Sequence, residues 1–199
     1  SSLEREFFLS GIFVLMRTIT STPPQRERYT RTAVLLHWLV ALLIVCGFTL
    51  GLVMTDIPGL TPAKVRYFSW HKWIGVTVLL LAVLRALWRL THPAPPYPPT
   101  MKPWEKLAAN SLHGLLYVLI FAVPLSGYFY SLAAGVKVVY FGLVELPVLI
   151  EPNAELKPVL KAVHFWLNML LATSVGIHVA AALKHQFIDR DGVLRRMLP

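Results

Sequence analysis

VLKAVHFWLNMLLATSVGIHVAAAL, residues Val159–Leu183, is a long apolar stretch that contains one formally charged residue and two histidines. About 20 predominantly apolar residues are enough for an α-helix to cross the hydrocarbon core of a membrane. The stretch is therefore predicted to be a transmembrane helix. Ionisable residues inside such a helix are costly and mark functional sites by default, so His164 and His178 are the first candidate site residues.

Three further segments meet the same criterion, and they are Ala33–Met54, Tyr67–Leu90 and Leu107–Leu132. The whole chain is 56% hydrophobic and only 15% charged, which is the composition of a membrane protein. We predict an all-α fold, an integral membrane four-helix bundle. The apolar segment 138–150 is short and interrupted by Glu145 and Pro147, so it is interpreted as an interfacial or re-entrant piece and not as a fifth crossing.

The basic residues lie at the ends of the apolar runs and not along one polar face, so the net charge of +9 does not predict a nucleic-acid partner. Eleven Lys and Arg residues fall on one side of the predicted membrane and five on the other. By the positive-inside rule, both termini are predicted to be cytoplasmic. Residues 1–25 are interpreted as an N-terminal extension that is not native or is disordered, and residues 26–199 as the transmembrane domain.

Histidine must carry any metal chemistry, because Cys46 is the only cysteine. One cysteine excludes an intrachain disulfide, a cysteine-rich zinc or iron–sulfur site and the Cys-x-x-Cys-His attachment of a c-type haem. Five of the seven histidines lie inside the predicted spans: His37, His71, His113, His164 and His178.

The depths of these histidines predict two pairs. His164 and His178 are separated by four helical turns, which places them roughly 21 Å apart along one helix and about 40° apart around it. His37 lies near the inner start of the first span and His71 near the outer start of the second. Matching depths therefore pairs His37 with His178 on the inner side and His71 with His164 on the outer side. His113 lies at the inner depth and competes with His37, and depth alone does not choose between them.

Two imidazoles at one depth suit a haem iron, whereas zinc prefers three or four converging ligands. We therefore predict two b-type haems. Ligation by two histidines leaves no open position on the iron, which favours electron transfer over chemistry at the metal. Arg85 and Arg89 on the inner side, and Lys72 and Lys161 on the outer side, are predicted either to pair with haem propionates or to extend to the membrane interface.

The remaining histidines have weaker predictions. His113 is expected to make a hydrogen bond to a propionate or a loop, or to contact quinone. His92 and His185 are expected at the interface, and His185 is an outside candidate for quinone contact. Six basic residues on the outer face could steer a small anion toward the outer haem; they are Lys64, Arg66, Lys72, Lys137, Lys157 and Lys161.

The chain resembles the bacterial cytochrome b561 family in several pieces that occur in order from about Tyr29 to the C-terminus. These pieces are His37-Trp38, Arg85-Ala-Leu-Trp-Arg89 with Pro93-Ala-Pro-Pro96, His113 with Ala122-Val-Pro-Leu-Ser-Gly127, Phe141-Gly-Leu143 and Leu194-Arg-Arg-Met-Leu-Pro199. The resemblance implies a multi-pass protein of the bacterial inner membrane. It implies haem ligation by His37, His71, His164 and His178, with His113 outside the ligand set.

The resemblance further implies an oxidoreductase that oxidises superoxide at the periplasmic face and reduces ubiquinone. Lys184-His185 stands where the family keeps a histidine pair, so a quinone contact there does not carry over residue by residue. Two other functions remain open: a haem b anchor that passes electrons from a partner dehydrogenase or hydrogenase to quinone, and a non-redox membrane helper such as a haem carrier. The expected partners are membrane lipid, quinone, superoxide and, for the anchor, a redox partner protein.

Overall fold

The computed structural model describes residues 28–198, and four long helices dominate this part of the chain. They are α1 (Arg31–Asp56), α2 (Pro62–Thr91), α3 (Pro103–Ala133) and α4 (Leu156–Lys184). All four are long and apolar enough to cross a membrane, and no fifth helix of this kind occurs among the described residues. The prediction of an all-α membrane bundle is confirmed. The prediction for residues 1–25 lies outside the described part.

Each helix extends a few residues beyond its predicted span, because local capping and not hydrophobicity sets its ends. The Thr30 hydroxyl accepts a hydrogen bond from the Ala33 backbone N–H at the start of α1. The Thr61 hydroxyl does the same for Lys64 at the start of α2, where Pro62 occupies the first helical position. Such caps satisfy N–H groups that have no partner within the helix.

The helices pack mainly with their neighbours in sequence, α1 with α2, α2 with α3 and α3 with α4. The backbones of α1 and α4, and likewise of α2 and α4, make almost no close approach. Many large apolar side chains point outward, among them Leu42, which is 60% exposed, and Trp166, which is 67% exposed. A lipid environment accounts for such a surface, which would be a liability in water.

A short antiparallel hairpin connects α3 to α4, and sequence reasoning did not predict it. Its strands are β1 (Val139–Tyr140) and β2 (Val144–Glu145). Phe141 and Gly142 both have positive φ angles, 50° and 74°, which is the type I′ geometry favoured in tight hairpins. The segment 138–150 therefore forms no fifth crossing, as expected, but it is a β-hairpin with an ion pair of 2.7 Å between Lys137 and Glu145.

The two ends of the bundle carry different structures. At one end, here called the terminal end, α1 and α3 begin and α2 and α4 finish. There α4 passes into a π-helical turn (His185–Asp189), and a 3-10 turn (Leu194–Met197) follows. The Trp38 indole N–H donates to the carbonyl oxygen of Met197 at 2.8 Å, which fastens the end of the chain to α1. The opposite end carries the hairpin and is called the hairpin end.

Candidate functional site

Two histidines from different helices face each other at the hairpin end. His71 lies near the start of α2 and His164 near the start of α4, and their ring centroids are 6.2 Å apart with an interplanar angle of 86°. Both rings are half-buried in the space between these helices. We refer to His71 and His164 as the hairpin-end pair.

Hydrogen bonds fix which nitrogen of each ring carries the proton in the hairpin-end pair. The Nδ1 atom of His71 lies 3.0 Å from the carbonyl oxygen of Gly47 on α1. A carbonyl can only accept, so Nδ1 carries the proton and Nε2 keeps its lone pair. The Nδ1 atom of His164 lies 3.1 Å from the Val123 carbonyl oxygen and 2.9 Å from the Ser126 hydroxyl. His164 thus has the same tautomer.

The Ser126 hydroxyl has a defined role in this arrangement. It donates its own proton to the Val123 carbonyl oxygen at 2.7 Å, which leaves its lone pairs to accept from His164. Ser126 is buried, only 8% exposed, so this network is shielded from water. An acceptor that bonds the N–H of an imidazole orients the ring and raises the basicity of its other nitrogen.

Two glycines make room for the same rings. A Cβ atom on Gly51 would lie 3.3 Å from Cε1 of His71, and one on Gly127 would lie only 2.8 Å from Cε1 of His164. The second distance is shorter than real Cβ atoms tolerate. Glycine at position 127 is therefore what allows the His164 ring to lie against α3.

A second cluster of histidines lies at the terminal end. The ring centroids of His37 on α1 and His178 on α4 are also 6.2 Å apart, at an angle of 68°. His113 on α3 joins them, with its centroid 5.3 Å from that of His178. We refer to His37 and His178 as the terminal-end pair. Among the described residues, no hydrogen bond forms to the ring nitrogens of either member.

At the terminal end, a guanidinium lies beside histidine rings that have no hydrogen-bond acceptor among the described residues. Arg85 on α2 lies beside this cluster, because it contacts Tyr117, which is one turn from His113 on α3. Its Nε donates to the Tyr117 hydroxyl at 3.2 Å, but its Nη1 is buried without a hydrogen-bond partner among the described residues. A buried unpaired donor on a cation is expensive, so an anionic group at this position would be stabilised. The expectation that Arg85 simply extends to the interface is not what the structure shows.

The geometry of both pairs fits a single metal ion between the rings. An imidazole nitrogen lies about 2 Å from a metal that it ligates and about 1 Å from its own ring centre, so two rings on opposite sides of one metal have centroids about 6 Å apart. Both pairs match this spacing at 6.2 Å. The two gaps lie between α1 and α4 and between α2 and α4, the helices whose backbones stay apart, so a flat macrocycle has room. These residues fit a b-type haem: the facing imidazoles would hold its iron, Arg85 would compensate negative charge of the group, and the haem would supply one-electron transfer.

The other two histidines take structural positions. His92 stacks on Trp88 with a centroid distance of 4.0 Å, at the end of α2. His185 is buried just beyond the end of α4, where its Nδ1 lies 2.7 Å from a carboxylate oxygen of Asp191 and 3.0 Å from one of Asp189. The His185 ring therefore contacts two carboxylates through Nδ1.

Several residues of the site escaped sequence reasoning. Ser126 and Gly127 appeared there only as part of a family motif, and Tyr117 and the Gly47 carbonyl not at all. Asn168 is another: its amide donates to the His164 carbonyl at 2.7 Å and lies 3.3 Å from Nε2 of the same ring. A polar residue one turn from a transmembrane histidine is the signal that could have identified it.

Comparison with known proteins decides the family. The model of the family described as Prokaryotic cytochrome b561 matches residues 28–199. The chain belongs to the prokaryotic cytochrome b561 family. It is 35% identical to Cytochrome b561 homolog 2 of Escherichia coli strain K12, over 91% of this chain and 95% of that protein.

Two other relatives carry different names. The chain is 30% identical to the Probable superoxide oxidase CybB of Yersinia pestis and 30% identical to Cytochrome b562 of Cereibacter sphaeroides. Each comparison covers 87% of this chain and 97% of the relative. This cytochrome b561 is therefore a multi-pass electron-transfer protein of the bacterial inner membrane that uses b-type haem.

Proposed function

We propose that this cytochrome b561 holds two b-type haems and moves electrons from superoxide at its hairpin end to ubiquinone. The observation that carries the proposal is the equal spacing of two histidine pairs, 6.2 Å in each, at opposite ends of one bundle. The ligands would be His71 and His164 at the hairpin end, and His37 and His178 at the terminal end.

The spacing also argues against His113 as a ligand. Its centroid is 5.3 Å from that of His178, about 1 Å less than two rings on opposite sides of one iron require. His113 instead borders the terminal-end pair, on the same helix as Tyr117 and near Arg85. In that position it can hydrogen-bond a propionate or a quinone oxygen.

A b-type haem held by the two histidines of a pair would supply one-electron transfer. The protein's part is to hold the rings, exclude water and attract the donor. Two superoxide ions give up one electron each and become dioxygen, and ubiquinone takes up both electrons with two protons to become ubiquinol. A relative named a probable superoxide oxidase supports superoxide as the donor.

Basic residues at the hairpin end support attraction of an anion, although not all six contribute equally. Lys137 is paired with Glu145, and the Lys64 ammonium donates to the Ile57 carbonyl at 2.6 Å. Lys161 is exposed and Lys72 half-buried, and neither forms an ion pair within residues 28–198. Lys72 and Lys161 are therefore the residues best placed to steer superoxide.

The decisive experiment is stopped-flow mixing of the purified, haem-loaded protein with superoxide and a soluble ubiquinone. We expect rapid reduction of the haem bands, followed by reoxidation that depends on quinone. Lys72→Gln with Lys161→Gln should slow the first phase, most strongly at low salt, while Lys137→Gln serves as the matched control because its charge is already compensated. Haem that superoxide leaves oxidised would contradict the proposal, and a soluble partner that co-purifies stoichiometrically would favour an anchor subunit.

The ligand assignment has its own test. His71→Ala or His164→Ala should remove the hairpin-end haem, and His37→Ala or His178→Ala the terminal-end haem, so that each variant retains about half of the haem per protein. His113→Ala should retain both haems. The reduced-minus-oxidised spectrum, normalised to protein, measures this. Loss of a haem from His113→Ala while His37→Ala keeps both would overturn the terminal-end assignment.

A further inference from the structure

The two histidine pairs have the same spacing but opposite electrostatic surroundings. At the hairpin end, His71 donates to the Gly47 carbonyl, and His164 is held by the Val123 carbonyl and the Ser126 hydroxyl. Each of these groups accepts a hydrogen bond from an imidazole N–H. At the terminal end the described residues offer no such acceptor to the ring nitrogens of His37 and His178, and the Arg85 guanidinium lies beside the cluster against Tyr117.

These surroundings act in opposite directions on an iron between the rings. Oxidised iron carries one more positive charge than reduced iron. A ligand imidazole that donates its N–H to an acceptor is more basic, which stabilises the oxidised form and lowers the reduction potential. A fixed positive charge nearby repels the extra charge of the oxidised form and raises the potential, strongly so in the low dielectric between transmembrane helices.

The hairpin end also contains a cation, Lys72, so the two ends must be weighed against each other. Lys72 directly follows His71 on α2 and is half-buried. Arg85 lies 14 residues after His71 on the same helix, at the depth of the terminal-end pair, and its Nη1 is buried without a hydrogen-bond partner among the described residues. The hairpin end thus combines three acceptors at the Nδ1 atoms, and the Asn168 amide near Nε2 of His164, with one half-buried cation, whereas the terminal end combines no ring acceptor among the described residues with a buried guanidinium.

We propose that Ser126 and the backbone acceptors at the hairpin-end pair, set against Arg85 at the terminal-end pair, make the hairpin-end haem the lower-potential one. This inference rests on the proposed function. Electrons that enter at the hairpin end then run to a higher potential at the terminal end. The surroundings of the ligands, and not the ligands themselves, set the direction of flow. Ser126 is a positioning residue in this scheme, because it acts through His164.

A redox titration of the purified, haem-loaded protein tests this inference without any turnover. Two components should appear. Ser126→Ala should raise the midpoint potential of the lower component and leave the higher unchanged, whereas Ser126→Thr, which keeps the hydroxyl, should restore it. Ser174 on α4 is equally buried but makes no hydrogen bond to a histidine among the described residues, so Ser174→Ala is the matched control and should move neither component.

Arg85 is tested in the same titration. Arg85→Gln should lower the higher component and leave the lower one unchanged, while Arg85→Lys should largely preserve it. Arg66, near the start of α2 and exposed over the Trp70 ring, provides the control Arg66→Gln, which should leave the higher component unchanged. A shift of the wrong component by Ser126→Ala or Arg85→Gln, or no shift in either, would overturn the inference.

A second measurement keeps the inference testable if Ser126→Ala does not fold. His71→Ala should lose the lower-potential component, and His37→Ala the higher one; the reverse order refutes the inference. The haem count separates the two proposals. A wild-type protein with fewer than two haems defeats the proposed function and the inference with it, whereas two haems in the reverse order of potential defeat the inference alone.

Discussion

Gly127 is as important for the geometry of the site as His164, the histidine that it contacts. A histidine becomes a dependable ligand only when its other nitrogen is tied down and its ring has space. At His164 the Ser126 hydroxyl supplies the first condition and the missing side chain of Gly127 the second. Neighbouring residues on α3 thus position one ring on α4, and a change at either should be felt at the ligand.

Gly127→Ala should therefore displace the His164 ring. The new Cβ would lie 2.8 Å from Cε1, so the ring must move and its bond to Ser126 weaken. We expect loss of the hairpin-end haem, measured as a fall in haem per protein to about half. Gly114→Ala is the control, since its Cβ would meet nothing within 4 Å and alanine favours a helix. Equal haem retention in the two variants would show that the ring adapts.

The pairing of the histidines was predictable from sequence, but the residues that support their rings were not. Depth along a transmembrane helix follows from residue number, so the sequence alone was enough to pair His37 with His178 and His71 with His164. The acceptors depend on how helices rotate against each other. The Gly47 carbonyl is 24 residues from His71 and the Ser126 hydroxyl 38 residues from His164, and no local pattern records such contacts.

Among the elements, the four helices were predicted and the hairpin was not. A span of apolar residues reports the part of a helix that lies in hydrocarbon, so the predicted limits 33–54 for α1 fall inside the observed Arg31–Asp56. The hairpin strands have two residues each, too short for an alternating pattern. The sequence signal for the hairpin is weak: β-branched and aromatic residues, which favour a strand, precede Gly142, which favours a turn.

The hairpin is held to α2 by defined hydrogen bonds. The Trp73 indole N–H donates to the Val139 carbonyl at 2.8 Å. The Thr77 hydroxyl donates to the Trp73 carbonyl, so the Tyr140 hydroxyl, 2.9 Å away, donates to Thr77. Trp73 and Thr77 lie on the side of α2 opposite to His71, because two and six residues correspond to about 200° and 240° of rotation. The hairpin therefore supports α2 from outside the histidine cleft.

Tyr140→Phe should weaken this support without affecting haem. Loss of one partly buried hydrogen bond should cost about 1 kcal/mol of unfolding free energy. Reversible unfolding in mixed micelles measures the loss, and the haem spectrum should stay unchanged. Tyr67→Phe on the same helix is the control, since its hydroxyl makes no side-chain hydrogen bond within residues 28–198. A changed haem spectrum in Tyr140→Phe would mean that the hairpin is part of the haem site.

The orientation of the whole molecule in the membrane determines which side the hairpin end faces. Superoxide is an anion that crosses a membrane poorly, so under the proposed function the side that Lys72 and Lys161 face determines which pool of superoxide would be consumed. The terminal end carries Arg89, Lys102, Lys106, Lys184 and the arginines of the last turn, and this excess of basic residues is typical of a cytoplasmic face. This charge distribution predicts that the hairpin end is periplasmic.

Thiol labelling measures this orientation directly. In a Cys46→Ser background, Leu143→Cys places a thiol at the turn of the hairpin, where the native side chain is 86% exposed, and Thr100→Cys places one in the exposed loop between α2 and α3. A membrane-impermeant reagent added to intact spheroplasts should label position 143 and reach position 100 only after permeabilisation. Each variant is the other's control, because both loops are exposed and only the side differs. The opposite pattern would place the lysines in the cytoplasm, and with them the point of superoxide entry.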